Sequence, residues 1–193
     1  MLGDTPYKLI TKKGKLAQLR FIVPILILYS ALTSNALATK EYNKEFKEYE
    51  IMAVFVYNLI EFTEWPDKTA STPTRICIYG QDPIGELLSS FSKNRKFKFP
   101  ILVVEQVPDS ELKKCHILYV SPAAKDYESS LLTLTKNLPI LTVSNNKGFA
   151  KRGGTIGFTW NGDSIALEAN YTSIKKAGLT VDSELLDMAH IYK

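Results

Sequence analysis

The sequence predicts an α/β domain: a layered α/β/α arrangement with a mostly parallel sheet, helices on both faces, and an antiparallel hairpin at one edge. Three observations lead there. Short runs rich in β-branched residues, bounded by turn residues, recur at 75–80, 98–107, 115–121 and 139–144. Helical patterns separate them at 82–92 and 126–136. Finally, 155–160 and 164–169 are joined by Asn161-Gly162-Asp163, a hairpin signal.

The first element is the apolar stretch at 53–66, AVFVYNLIEFTEWP. Ile51, Phe55, Leu59 and Phe62 recur at helical spacing, and Met52, Val54, Val56 and Ile60 make the other faces apolar. Such a helix must be covered on most sides. Pro66 lacks an N–H and pushes Trp65 out of the helical region, so the helix is expected to end near Glu64. A polar turn at 67–73 leads to the strand RICIYG. Asp82 is placed to cap the next helix, with Pro83 at its first position and its end near Ser92. Strands at 98–107 and 115–121 follow, then a helix at 126–136 and the strand 139–144. After the hairpin, 170–177 and 183–191 read as two short helices, with Ala177-Gly178 closing the first.

The ends and the charge point to export. Lys8, Lys12, Lys13, Lys15 and Arg20 form a basic leader before the apolar run 21–32, and Ala36-Leu37-Ala38 fits a cleavage site. The expectation is a signal peptide over 1–38, cleaved after Ala38, and one exported mature domain over 39–193. The apolar run holds 12 residues and is interrupted by Pro24. A bilayer span needs roughly 20. Of 24 basic and 20 acidic side chains, the leader holds five and one, leaving nineteen of each sign. The mature charge is therefore zero, and the sequence pI near 8.9 belongs largely to the leader. A clustered basic surface for nucleic acid is not indicated.

The candidate chemistry is sparse. Cys77 and Cys115 lie near the starts of two predicted core strands. An oxidising compartment permits a disulfide between neighbouring strands, and two buried thiols are the other reading. His116 and His190 are the only histidines and lack metal-ligand spacing, so neither a metal nor a cofactor is expected. No G-x-S-x-G elbow, H-E-x-x-H helix or kinase motif occurs, and the glycines of 148–157 do not form a phosphate loop. The chain is not expected to be an enzyme.

Binding is the better expectation. Ligands of open α/β sheets sit beyond the carboxyl ends of the strands. That edge would hold Asp82, then Ser144, Asn145 and Gly148. Each is equally a capping or turn residue. Asn58 is the strongly polar residue in an apolar run, facing either a ligand or the sheet. Glu64 and Trp65 lie at the helix exit, where Trp65 is either a partner anchor or a lid on its own core. Phe149 either packs beneath a glycine turn or is offered to a partner, with Lys151 and Arg152 in the open. Asn170 caps a helix first and recognises a ligand second.

The 53–66 stretch resembles the opening helix of the YfiR-like family of small periplasmic proteins. Similar blocks follow in order: RICIYGQDPIGELL (75–88), KKCHILYVS (113–121), LPILTVSNNKGFAKRGGTIGF (138–158) and SIALEANYTSIKKAGLTVDSELLDMAHI (164–191). The resemblance implies the same α/β architecture and a disulfide between Cys77 and Cys115. It also implies a role: a periplasmic regulator that binds and represses a membrane-bound signalling enzyme, a diguanylate cyclase, and so lowers cyclic-di-GMP. The partner would be the periplasmic domain of that inner-membrane protein, and a homodimer is compatible. The alternative function is a periplasmic small-ligand sensor using the strand-end loops.

Overall fold

A computed structural model describes residues 46–69, 72–93, 98–161 and 164–193. The expected signal peptide at 1–38 and the tip of the Asn161-Gly162-Asp163 turn lie outside the described residues. The sheet lies within residues 48–193.

A two-stranded antiparallel ribbon joins β1 (Thr63–Glu64) to β8 (Thr180–Val181). The main sheet has seven strands: β2 (Thr74–Tyr79), β3 (Ile101–Val104), β4 (Ile117–Val120), β5 (Leu141–Ser144), β6 (Ile156–Asn161), β7 (Ser164–Asn170) and β9 (Ala189–Tyr192). Their order across the sheet is β3-β2-β4-β5-β6-β7-β9. Strands β3, β2, β4, β5 and β6 run parallel. Strand β7 turns back antiparallel to β6, and β9 pairs parallel to β7.

Alternation along the strands sorts the core into two layers. Ile76, Ile78, Ile117, Tyr119, Leu141, Val143, Ile156 and Phe158 face one side, beneath α1 (46–58), α2 (Ile84–Ser92), α4 (Tyr171–Lys176) and α5 (Ser183–Asp187). Cys77, Leu118 and Val120 face the other. There they meet α3 (Glu128–Leu134) and three 3₁₀ turns, Asp109–Lys114, Pro122–Tyr127 and Ala150–Arg152. The layered α/β/α class read from the sequence is the class of the molecule.

Two helices depart from expectation. Helix α1 buries Met52, Ala53, Val56 and Tyr57, whereas Ile51 is 41 % exposed and Phe55 is half-buried. The apolar residues nearly encircle this helix, so periodicity alone does not choose its inner face. One tertiary anchor on the buried face is Tyr57, whose hydroxyl accepts the Phe99 N–H at 2.6 Å. The helix also ends at 58, well before Pro66. A tight turn follows, in which Glu61 N–H donates to the Asn58 carbonyl, and Thr63–Glu64 then pair with Thr180–Val181. The ribbon, rather than the proline, takes the chain out of the helix.

The last helix is short for a related reason. Residues 183–187 are helical, but 189–192 form β9 and cover the β7 edge. The β6–β7 hairpin is therefore one strand in from the edge.

Candidate functional site

Strand β2 has β3 on one side and β4 on the other, so the chain reverses its direction of travel across the sheet there. This is a topological switch point, where open α/β sheets usually form a crevice at their carboxyl ends. Residues 80–83, 121–123 and 144–148 meet at this edge, after three adjacent strands. Gly80 has φ +88, and a Cβ there would stand 2.9 Å from the Ala124 Cβ. Only glycine lets β2 turn this close to the Pro122–Tyr127 turn.

Most polar groups at this edge are used by the fold. The Ile84 N–H donates to Asp82 Oδ1 at 3.0 Å, the cap expected from the sequence. Asp82 is 9 % exposed. Burial pushes its carboxyl above the ordinary range, partly offset by the Ile84 amide. Ser121 Oγ donates to the Gln81 carbonyl at 2.9 Å and accepts the Ala123 N–H. Ser144 Oγ donates to the Val120 carbonyl at 2.7 Å and accepts the Asn146 N–H, tying β5 to β4. Asn145 Oδ1 accepts the Tyr119 hydroxyl at 2.9 Å. Burial, reinforced by Asp82, drives the Tyr119 phenol well above its usual range. Tyr119 is thus a neutral donor that holds the Asn145 loop.

Gly148 has φ +72 and opens a compact turn. Phe149 is fully buried beneath it. A Cβ on Gly154 would overlap the Phe149 ring, so the second glycine of the pair makes room for the aromatic residue. Arg152 does not stand free. Its Nε donates to Glu128 Oε1 at 2.6 Å, its Nη2 to Glu128 Oε2 at 3.0 Å, and its Nη1 to the Lys147 carbonyl. Glu128 is 5 % exposed and also accepts the Asn146 side-chain amide at 3.0 Å. This pairing raises the Arg152 guanidinium further above its ordinary value. Nothing in the sequence marks Glu128, which reads there as one more helical acid.

The remaining candidates lie elsewhere. Trp65 is 7 % exposed. Its indole N–H donates to the His116 carbonyl just before β4, at the amino end of the sheet. The same pair meets edge-on with ring centroids 5.8 Å apart. Trp65 covers the domain's own core. Glu64 is exposed in the β1–β8 ribbon beside it. Asn58 is exposed on the outer side of α1, so it has no buried amide to satisfy. Asn170 caps α4 by accepting the Ser173 N–H at 2.8 Å, and its Nδ2 donates to the Ala150 carbonyl. The residues singled out from the sequence therefore fall at two ends of the sheet, not in one pocket.

A disulfide joins Cys77 to Cys115, with Cα atoms 5.9 Å apart. Cys115 sits just before β4, at the end of the 3₁₀ turn 109–114, rather than inside the strand. The bond pins that turn beneath β2. Among the described residues there is no group of three His, Cys, Asp or Glu side chains placed to hold a metal. None of the described helices is long and apolar enough to cross a membrane.

The family model described as YfiR/HmsC-like matches residues 49–190. No curated protein matches the chain in sequence. Among solved structures, a conserved domain protein of Vibrio cholerae O1 biovar El Tor is similar, with a TM-score of 0.53 and 10 % identity. The match covers 75 % of this chain and 60 % of that one, so this chain spans less than two thirds of its length. This likeness speaks to fold alone. An ABC domain of Streptococcus pneumoniae solved with L-Trp gives a TM-score of 0.49, 10 % identity, and covers 70 % of this chain and 59 % of that one. A likeness that low carries no argument. The family model spans most of the chain and the whole of the sheet up to β9, and the chain belongs to the YfiR/HmsC-like family of periplasmic regulators.

Proposed function

We propose that this protein acts in the periplasm, after removal of residues 1–38, by binding the periplasmic domain of an inner-membrane diguanylate cyclase and holding it inactive. The observation that carries this reading is the family match over 49–190. The condition of the candidate site supports it. Ser144, Asp82 and Asn170 hold their side chains to the fold, Asn145 is tied to it through Oδ1, and no nucleophile–base pair stands among them. A protein surface is then the natural ligand-recognition element. Repression works by population shift: the regulator favours one state of the cyclase to the extent that it binds that state more tightly. Exposed Asn58 and Glu64, beside α1 and the β1–β8 ribbon, are offered as part of the docking face.

The test is capture from membranes. An affinity-tagged, export-competent chain is crosslinked in the periplasm and purified from solubilised membranes. Co-purification of a transmembrane diguanylate cyclase is the expected result. Capture of no cyclase, with the tagged chain correctly exported, contradicts the proposal.

A further inference from the structure

A cleft of about 530 Å³ opens beside the Thr142–Thr155 face of the sheet. Its walls come from α3 and the link after it, the turn 150–153, and the side of α4 that carries Ser173 and Lys176. Its size falls in the range of small-molecule sites, roughly 300–1,000 Å³. Thr142 and Thr155 line it and are locked to each other: the Thr155 N–H donates to Thr142 Oγ1 at 2.9 Å, and Thr155 Oγ1 to the Thr142 carbonyl at 2.6 Å.

The charges around it are uneven. Glu128 is the carboxylate of the wall, and Arg152 and Asn146 already occupy it. Lys136 and Lys176 line the same cleft from two separate elements. Neither ammonium group takes part in an ion pair or side-chain hydrogen bond among the described residues. The cleft thus carries two uncommitted positive charges beside hydroxyl-bearing residues. A ligand entering it meets these two cations, while the wall carboxylate is already matched by Arg152.

We propose that this cleft binds a small organic anion, a metabolite bearing carboxylate or phosphate groups, with Lys136 and Lys176 as its counter-charges. The site is independent of the cyclase-binding reading: it stands or falls whether or not a cyclase is the partner. It would give the regulator an input from the periplasm.

The test uses the mature protein with citrate, glycerol 3-phosphate and inorganic phosphate as probes. Neutral glycerol and sodium chloride at matched ionic strength are the controls. Isothermal titration and thermal shift read affinity, and amide NMR shifts read location. The expected result is saturable binding of at least one probe at millimolar or lower concentration, with shifts at the Thr142 and Thr155 amides. Replacing both lysines, Lys136→Met and Lys176→Met, should weaken that binding about ten- to thirtyfold, since each removes one charge pair. The two side chains are solvent-facing, so the fold should survive, and Lys136→Arg with Lys176→Arg should keep the affinity. Citrate binding without phosphate binding would name the ligand a carboxylate, and the reverse a phosphate ester. Binding unchanged in the double methionine variant, shifts that sodium chloride reproduces, or no saturable binding of any probe would overturn the proposal.

Discussion

The Trp65 indole N–H donates to the His116 carbonyl at 3.1 Å, and the His116 ring stands edge-on to that same indole. On its other side, His116 Nδ1 accepts the Arg75 N–H at 3.0 Å. That acceptor role requires an unprotonated Nδ1. Burial lowers the affinity of this imidazole for a proton, and Lys68 and Arg75 lower it further. The group is therefore neutral in the fold and binds its proton more readily when unfolded. Its contribution to stability is present above the ordinary histidine range, and it is lost as pH falls through that range toward the depressed folded value. Acidification from about pH 7.5 to about pH 5 should lower the denaturation midpoint and change Trp65 fluorescence together. His116→Gln should remove most of that pH dependence. A wild-type midpoint that stays flat over this range would contradict the assignment.

Asp82 gives the opposite slope. Its carboxyl is raised chiefly by burial, so the folded state holds the proton more tightly than the unfolded state. Stability from this group is full below the ordinary carboxylate range and is lost as pH rises through the folded value. Asp82→Asn keeps an acceptor for the Ile84 N–H and removes the charge. The variant should gain stability relative to wild type on going from about pH 4 to about pH 7, measured by urea denaturation at both. A relative loss at neutral pH would show that the carboxylate is wanted as an anion.

The Cys77–Cys115 bond closes a loop 38 residues apart in sequence. Chain entropy assigns such a crosslink roughly 3–4 kcal/mol. A Cys77→Ser, Cys115→Ser double variant should lose about that much in chemical denaturation under oxidising conditions. Reduced wild type should fall to the same level. A loss under about 1 kcal/mol would mean that the 109–114 turn is held by its packing instead.

Glu128 and Arg152 should behave as a coupled pair. Removing Arg152 leaves a carboxylate that is 5 % exposed with only the Asn146 amide beside it. Arg152→Met should cost about 2–3 kcal/mol, because an uncompensated buried charge is left behind. Glu128→Gln with Arg152→Met should cost less than the sum of the single changes. A double-mutant cycle in urea measures the difference, and simple additivity would contradict the coupling.

Much of the strand framework is legible in the residues. β2, β5 and the β6–β7 hairpin announce themselves through β-branched runs and turn residues, and Asp82 and Asn170 cap where small polar residues cap. What fails is the choice among apolar faces. In α1 apolar residues sit on nearly every side, so the buried face is settled by what packs on it, such as Phe99 against Tyr57. β9 fails for a similar reason: AHIY is too short to show a period, and its strand form comes from pairing with β7. The Glu128–Arg152–Asn146 cluster spans three elements, and no local pattern joins them. The cleft between α3 and α4 is likewise a product of packing, invisible along the chain.

Repression of a diguanylate cyclase is tested most directly by cellular cyclic-di-GMP. The gene is deleted, then restored as the wild type, with export of the restored protein confirmed. Cyclic-di-GMP should rise on deletion and return to its starting level on restoration. An unchanged level, under conditions in which the wild-type protein is present in the periplasm, would contradict repression.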